Sequence, residues 1–328
     1  MNLILTNTGS YPRIGDTPEQ QVLRRAIAAS EKGEKTEADV REAERKLTQA
    51  AIDEQLDAGL DLPTDGQIRW YDPISYISGK LEGVKINGLL RFFDTNFYFR
   101  QPVVQALLRR RRPILLDDYK FASTVSAKPV KVVLTGPYTL AKYSIVEDST
   151  YKTFEKLVEG YTVALAEEIQ ELVKSGAKII QVDEPAILKN PEDFQFCAAS
   201  LKVLSQAKGN STLALYTYFG DASSLYKKLQ DLPVDALGID FTYNSALVDR
   251  VCTESTDKVL GLGLVDGRNT RLESEASIRS ALEKILPALK SGYAYLNPSC
   301  GLEYLPRDRA YSKLKNMVSL AKNFTSSK

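Results

Sequence analysis

The chain has no histidine among its 328 residues, and histidine is the commonest metal ligand and the usual general base near neutral pH. Any chemistry must run on carboxylates, tyrosine, lysine, cysteine or bound ligands. Polar and conformationally special residues gather in short stations: Gly9-Ser10-Tyr11-Pro12-Arg13, Asp65-Gly66-Gln67-Ile68-Arg69, Thr135-Gly136-Pro137-Tyr138, Asp183-Glu184-Pro185-Ala186, Tyr216-Thr217-Tyr218-Phe219-Gly220-Asp221, Asp240-Phe241-Thr242, Asp266-Gly267-Arg268-Asn269 and Asn297-Pro298-Ser299-Cys300-Gly301. Adjacent Asp183 and Glu184 can receive a substrate ammonium, a charge-assisted bond worth about 1.5–3 kcal/mol. The same acids ahead of Pro185 also suit a helix N-terminus. Arg268 has a planar fork that can clamp a carboxylate or pair with an acid such as Asp240, in a run whose Gly267 suits a tight turn. Tyr216 and Tyr218 share one strand face and can serve as core, stacking wall or hydroxyl donors. Cys300 is either a thiolate or, as lone cysteines more often are, a small buried apolar residue. The candidate binding set is Ser10, Arg13, Asp65, Asp183, Glu184, Tyr216, Tyr218, Asp240, Asp266, Arg268, Asn269 and Cys300, with no catalytic role assigned to any of them.

The elements that would position these residues alternate along the chain. Short apolar, β-branched runs fall at Leu3 to Thr8, Leu60 to Asp65, Val130 to Thr135, Lys178 to Asp183, Thr212 to Tyr218, Ala236 to Phe241, Val259 to Val265 and Tyr293 to Asn297. Helical stretches are expected over Glu37 to Ala58, Tyr151 to Ser175, Asp193 to Lys208, Ala222 to Gln230, Glu275 to Lys290 and Arg307 to Lys322. In the second, Phe154, Leu157, Val158, Tyr161, Val163, Leu165 and Ile169 recur near the 3.6-residue period, and Gly176 stops the helix. Strand and helix in alternation predict a parallel sheet wrapped by helices, and eight such runs predict a closed (β/α)8 TIM barrel. The stations then fall at the C-terminal ends of its strands, where barrels of this kind build their sites. Residues 66–129 exceed one crossover helix, so an extra helical pair or a long loop over the barrel mouth is expected after the second strand. No linker, internal repeat or low-complexity tract divides the chain, which reads as a single barrel domain over 1–328.

Composition narrows the function. Lys plus Arg is 43 against 42 for Asp plus Glu, a balance with no large field to draw nucleic acid or an anionic membrane surface. The run from Arg109 to Arg112, ahead of Pro113, reads as a solvated helix end. Cys197, Cys252 and Cys300 lie far apart with no CxxC spacing, the pattern of a reduced intracellular protein. The N-terminus lacks a secretory signature, and no stretch of about 18 apolar residues occurs. Cytoplasmic localisation is expected.

In this order and spacing, the stations resemble cobalamin-independent methionine synthase over essentially the whole chain. That family normally fuses two similar barrels face to face, a catalytic C-terminal one and an N-terminal one without metal. Tyr11-Pro12-Arg13-Ile14-Gly15, Trp70-Tyr71-Asp72, Phe92-Phe93-Asp94-Thr95-Asn96, Thr217-Tyr218-Phe219-Gly220, Val265-Asp266-Gly267-Arg268-Asn269 and Pro298-Ser299-Cys300 look more like the N-terminal half. The resemblance implies methyl transfer from a methylated tetrahydropterin-type donor to homocysteine, whose thiol the family's zinc turns into a thiolate. Zinc there is held by His-x-Cys after the fifth strand, Glu after the sixth and Cys after the eighth. The matching positions here are Tyr216, Tyr218, Asp240 and Cys300, of which Asp240 and Cys300 have donor character suited to a catalytic zinc. No bound metal or cofactor is expected in this chain. Asp16-Thr17-Pro18-Glu19-Gln20 stands where the family's N-terminal half carries a basic stretch associated with a polyglutamate tail, which leaves room for another pterin or methyl carrier. The resemblance thus implies a barrel subunit of a split synthase, with zinc only in a separate catalytic barrel. The alternatives are an autonomous metal-free methyltransferase and a non-catalytic binding or scaffolding barrel.

Overall fold

Seven of the eight expected runs form one parallel sheet. In the computed structural model, which describes residues 2–326 apart from residue 148, the strands in chain order are β1 (Asn2–Leu5), β2 (Glu82–Arg91), β3 (Tyr98–Arg109), β4 (Val132–Thr135), β5 (Ile145–Val146), β6 (Ile179–Asp183), β7 (Thr212–Thr217), β8 (Ala236–Asp240), β9 (Val259–Val265) and β10 (Tyr293–Pro298). The main sheet runs β1-β10-β9-β8-β7-β6-β4. The eighth run, Leu60 to Asp65, occupies the gap between β1 and β4 without ladder pairing. It makes a parallel bridge from Leu62 to Thr6, and the Pro63 carbonyl accepts from Lys131 N at 2.9 Å. Pro63 has no N–H to give, so a regular ladder cannot continue through it. The circuit closes there as a barrel.

Helices cover the outside. Thr36 caps Glu37–Asp57 in a reciprocal box with Asp39, and Thr153 caps Phe154–Lys174. The latter helix buries Leu157, Val158, Tyr161, Leu165, Ile169 and Leu172, whereas Val163, expected on that stripe, is 58% exposed. Helices Val22–Glu31, Leu116–Val125, Pro137–Lys142 and Ala246–Glu254 add to those expected.

The insertion sits where expected, but its main body is a hairpin and not a helical pair. Antiparallel β2 and β3 pair from Glu82↔Arg109 to Arg91↔Tyr98, with β5 added along Val103 and Val104. Alternation hides because Asn87-Gly88 carries a register shift, with Gly88 at φ +65°, and Pro102 interrupts the facing strand. Arg109 to Arg112 correspondingly follow a strand, and Arg110 closes on Glu168 at 2.5 Å and on Glu171. The run is thus a strand end and not a helix end, exposed at Arg109, Arg111 and Arg112, with Arg111 paired to Glu82.

Inside the barrel the residues are layered. Leu62, Ala214, Ala236, Val259 and Tyr295 form an apolar floor with Tyr216. The Tyr216 ring needs two strands without side chains: a Cβ on Gly238 would lie 2.2 Å from Tyr216 Cδ1, and one on Gly261 2.5 Å from its hydroxyl. Above it come Lys131, Gln181 and Asn297, then Asp183, Tyr218 and Asp240 towards the mouth. Gly238→Ala should destabilise the fold by about 1–3 kcal/mol through overpacking. In denaturant unfolding the loss should shrink when Tyr216→Ala is also present, and strictly additive effects would show that the ring does not occupy that space.

Candidate functional site

Asp183 ends β6, is 5% exposed, and accepts from Gln181 Nε2 at 2.7 Å and from the Tyr218 hydroxyl at 3.0 Å. Burial raises its carboxyl to about 7, against the lowering effects of those two hydrogen bonds and of Lys131. It lines a void of about 10 Å³ with Ser10, Gln67, Glu303 and Tyr304, room for roughly one water. Glu303, which precedes the last helix, is also pushed to about 7 by burial, and its Oε2 has no partner. Two carboxyls without a neighbouring ion pair thus converge at the axis. Gly301 permits this closeness, because a Cβ there would meet Ser10 Oγ at 1.9 Å and Glu303 Oε2 at 2.3 Å.

Aromatic rings from the hairpin tip roof the mouth. Phe92 and Phe93 meet Phe219 at 6.0 and 5.2 Å, and Phe97 meets Tyr304 at 5.2 Å. Phe93 and Phe219 both hold positive φ, 51° and 64°, a backbone state that costs a non-glycine residue free energy and persists where packing enforces it.

Glu184 turns away from the mouth. It is fully buried and accepts from Tyr138 N at 2.9 Å and Thr139 N at 2.7 Å, capping helix Pro137–Lys142 rather than the turn that follows it in sequence. Burial raises it to about 7 despite those bonds. Asp65 also leaves the mouth: it accepts from Gln67 N and lines a small gap against helix Leu116–Val125 with Asp118. Burial and then the Asp118 charge bring it to about 6.

Asp266, Arg268 and Asn269 satisfy one another. Arg268 Nε lies 3.1 Å from Asp266, its NH2 donates to Thr242 at 2.7 Å, and Thr242 donates to Asp240 at 2.6 Å. Asn269 also donates to Asp266. Of the two roles open to Arg268, the geometry shows the ion pair, with Asp240 reached through Thr242. Asp240 keeps Oδ2 unpartnered. Cys300 is fully buried, and burial followed by the Asp240 charge pushes its thiol well up, so it is no thiolate. Tyr216 donates to Asn297 at 3.3 Å from the interior and is raised by burial. It is core, while Tyr218 is a hydroxyl donor at the mouth.

A cleft of about 250 Å³ opens beside the mouth and shares Ser10, Gln67 and Glu303 with it. Arg13, held by Nε on the Ile68 carbonyl at 2.7 Å, stacks on Tyr71 at 5.0 Å, and Arg100 does so at 4.6 Å. The nearest acid to Arg100 is Asp72, at 3.9 Å. Burial lowers Arg13, opposed by Tyr71 and Glu44 and reinforced by Arg100. Sequence reasoning missed Gln67, Arg100, Glu303 and Lys131. Only Lys131 carried a signal, a cation inside the apolar run Val130 to Thr135.

The residues at the family's zinc positions do not fit the ion. One phenol fills the interior, the other is spent on Asp183, the thiol is buried in its neutral form, and among the described residues no three His, Cys, Asp or Glu side chains form a ligand group. Also among them, no helix is long and apolar enough to cross a membrane.

Residues 3–323 match the family model described as "Cobalamin-independent synthase, Catalytic domain". The chain is 33% identical over 309 residues to a methionine synthase of Saccharolobus solfataricus, covering 93% of this chain and 91% of that one. It is likewise 33% identical over 308 residues to the methionine synthase of Sulfolobus acidocaldarius, with coverages of 93% and 89%. A B12-independent methionine synthase from Shewanella sp. W3-18-1, solved in complex with selenomethionine, has a TM-score of 0.80 at 20% identity over 100% of this chain and 99% of its own. A methyltransferase from Methanosarcina mazei reaches 0.66 at 17% identity, over 97% and 94%. The matched model is the catalytic domain, whereas the motifs resemble the N-terminal half. These relatives are matched over nearly their whole length and establish no second chain.

Cys252 is exposed while Cys197 and Cys300 are buried. A thiol-disulfide exchange reagent should therefore label Cys252 in the native protein and the other two only on unfolding. Native labelling of Cys300 at a rate like that of Cys252 would remove the buried-thiol assignment.

Proposed function

Because the chain belongs to the cobalamin-independent methionine synthase family, we propose that it serves methionine biosynthesis in the cytoplasm, binding homocysteine at the barrel mouth and a methylated tetrahydropterin-type donor in the adjoining cleft, together with a separate zinc-bearing catalytic barrel. The observation that carries this reading is the pair of desolvated carboxyls without a direct ion pair, Asp183 and Glu303, at the mouth of a barrel that lacks the zinc donors. An amino-acid ammonium is the cation they suit, and the relative solved with selenomethionine supports a methionine-like ligand. Such a ligand exceeds the void beneath Phe92, so the aromatic tip gives way on binding. Arg13 and Arg100 lie where an anionic group of the donor can be received, without the family's basic stretch.

Transfer is assigned to the assembly. An unassisted thiol with pKa near 8.5 is only a few per cent thiolate at neutral pH, and among the described residues no metal-ligand group stands ready to hold an ion that would lower it. Homocysteine and a methylated pterin should give no methionine with this chain alone, and more with a zinc-bearing homologue from the same source than that homologue makes unaided. Turnover by the isolated chain would instead establish an autonomous methyltransferase, and no stimulation would leave a binding or scaffolding barrel. L-methionine affinity should fall as pH drops below about 7, where Asp183 and Glu303 take up protons, and Asp183→Asn should weaken binding and leave only the Glu303 share of that dependence. Affinity flat from pH 5 to pH 8 would exclude the carboxylate as the ammonium partner.

A further inference from the structure

Lys131 has no role in the mouth as described, yet it places a cation inside the barrel. It is 2% exposed, donates to the Asn7 carbonyl at 2.6 Å and lies 4.8 Å above the centroid of the Tyr216 ring. Asp183 is the charged group that favours its protonated form, and Lys131 is in turn the charge that favours ionised Asp183. Every other group facing Asp183 is neutral or negative: Gln181 and Tyr218 donate to it, Tyr216 lies below, and its charge raises Tyr216, Glu184 and Glu303. Both adjoin one residue: Asp183 is the register partner of Tyr216 across the β6–β7 pair, and Lys131 lies over the Tyr216 ring. Gln181, which holds Asp183 with its amide, keeps its Oε1 unpartnered.

A charge this deep is costly unless a counter-charge shares the interior. Lysine here, between Val130 and the first residues of β4, is not explained by packing, since Val130, Val132 and Val133 are ordinary buried apolar residues. We propose that Lys131 is a positioning residue: it supplies the interior counter-charge that keeps Asp183 a carboxylate, so that the mouth can receive an ammonium. The role rests on the amino-acid reading of the mouth, but the electrostatic coupling can be tested without it. Burial brings Lys131 down to about 7 and Asp183 up to about 7, so near neutral pH the pair is poised between its ionic and neutral forms. Removing the lysine takes away a term that lowers the Asp183 pKa, which must then rise.

The test is the ¹³C carboxyl titration of Asp183 in aspartate-labelled protein, assigned with Asp183→Asn, for the native chain, Lys131→Met and Lys131→Arg. The midpoint should move up by about one unit or more in Lys131→Met, a tenfold gain in proton affinity, and stay near native in Lys131→Arg. Thermal unfolding checks the fold, and Lys131→Gln takes the place of Lys131→Met if the latter does not fold. L-methionine affinity at pH 7 should fall in step with the midpoint and recover as pH is raised, which a lysine that merely packs would not produce. An unchanged midpoint in a folded neutral variant overturns the proposal. A shifted midpoint with no L-methionine binding to any protein, the native chain included, keeps the coupling and rejects the amino-acid reading instead.

Discussion

One aromatic ring laid across the barrel axis sets the terms for everything above it. Tyr216 fills space that Gly238 and Gly261 leave open, at separations no β-carbon would tolerate, and it seals the apolar floor of Leu62, Ala214 and Tyr295. Because the ring is committed to packing, position 216 presents no metal donor at the mouth. The same choice provides a flat π-face on which the Lys131 ammonium rests, so polar residues can occupy the next layer without opening the barrel to water.

Above that layer, electrostatics and shape act together. Asp183 and Glu303 are desolvated, and neither has a direct ion pair, the Lys131 charge acting on Asp183 from a distance. The rings of Phe92, Phe93 and Phe219 pack together over the void and leave room there for roughly one water, so much of that cost stands in the empty state and can be relieved by a cationic ligand. Arg268, by contrast, is already neutralised by Asp266, and Glu184 is occupied by helix N–H groups. Although all of these are polar residues at strand ends, their remaining capacity to bind differs, and that capacity separates a site residue from a loop fastener.

Much of this could be read in the residues. The barrel strands announced themselves as short β-branched runs because each is buried on both faces, and the stations at their ends fell at the mouth as the fold requires. What stayed hidden depended on partners distant in sequence. Glu184 was legible as a cap, but not of which helix, since Tyr138 and Thr139 lie on the neighbouring β/α unit. Asp65 shares its station with Gln67, yet Gln67 reaches the void and Asp65 faces Asp118. The hairpin was masked by its bulge and by Pro102, and Glu303 sits after a strand end with no flanking motif to mark it.

Phenols at two of the family's zinc positions leave this mouth without a ligand set for the ion among the described residues. Metal content of the native protein, purified without chelator from zinc-supplemented cells and dialysed before mass-spectrometric metal analysis, tests this most directly. The account predicts far less than one zinc per chain, unchanged by Cys300→Ser. One tightly held zinc per chain, lost on Cys300→Ser, would contradict it.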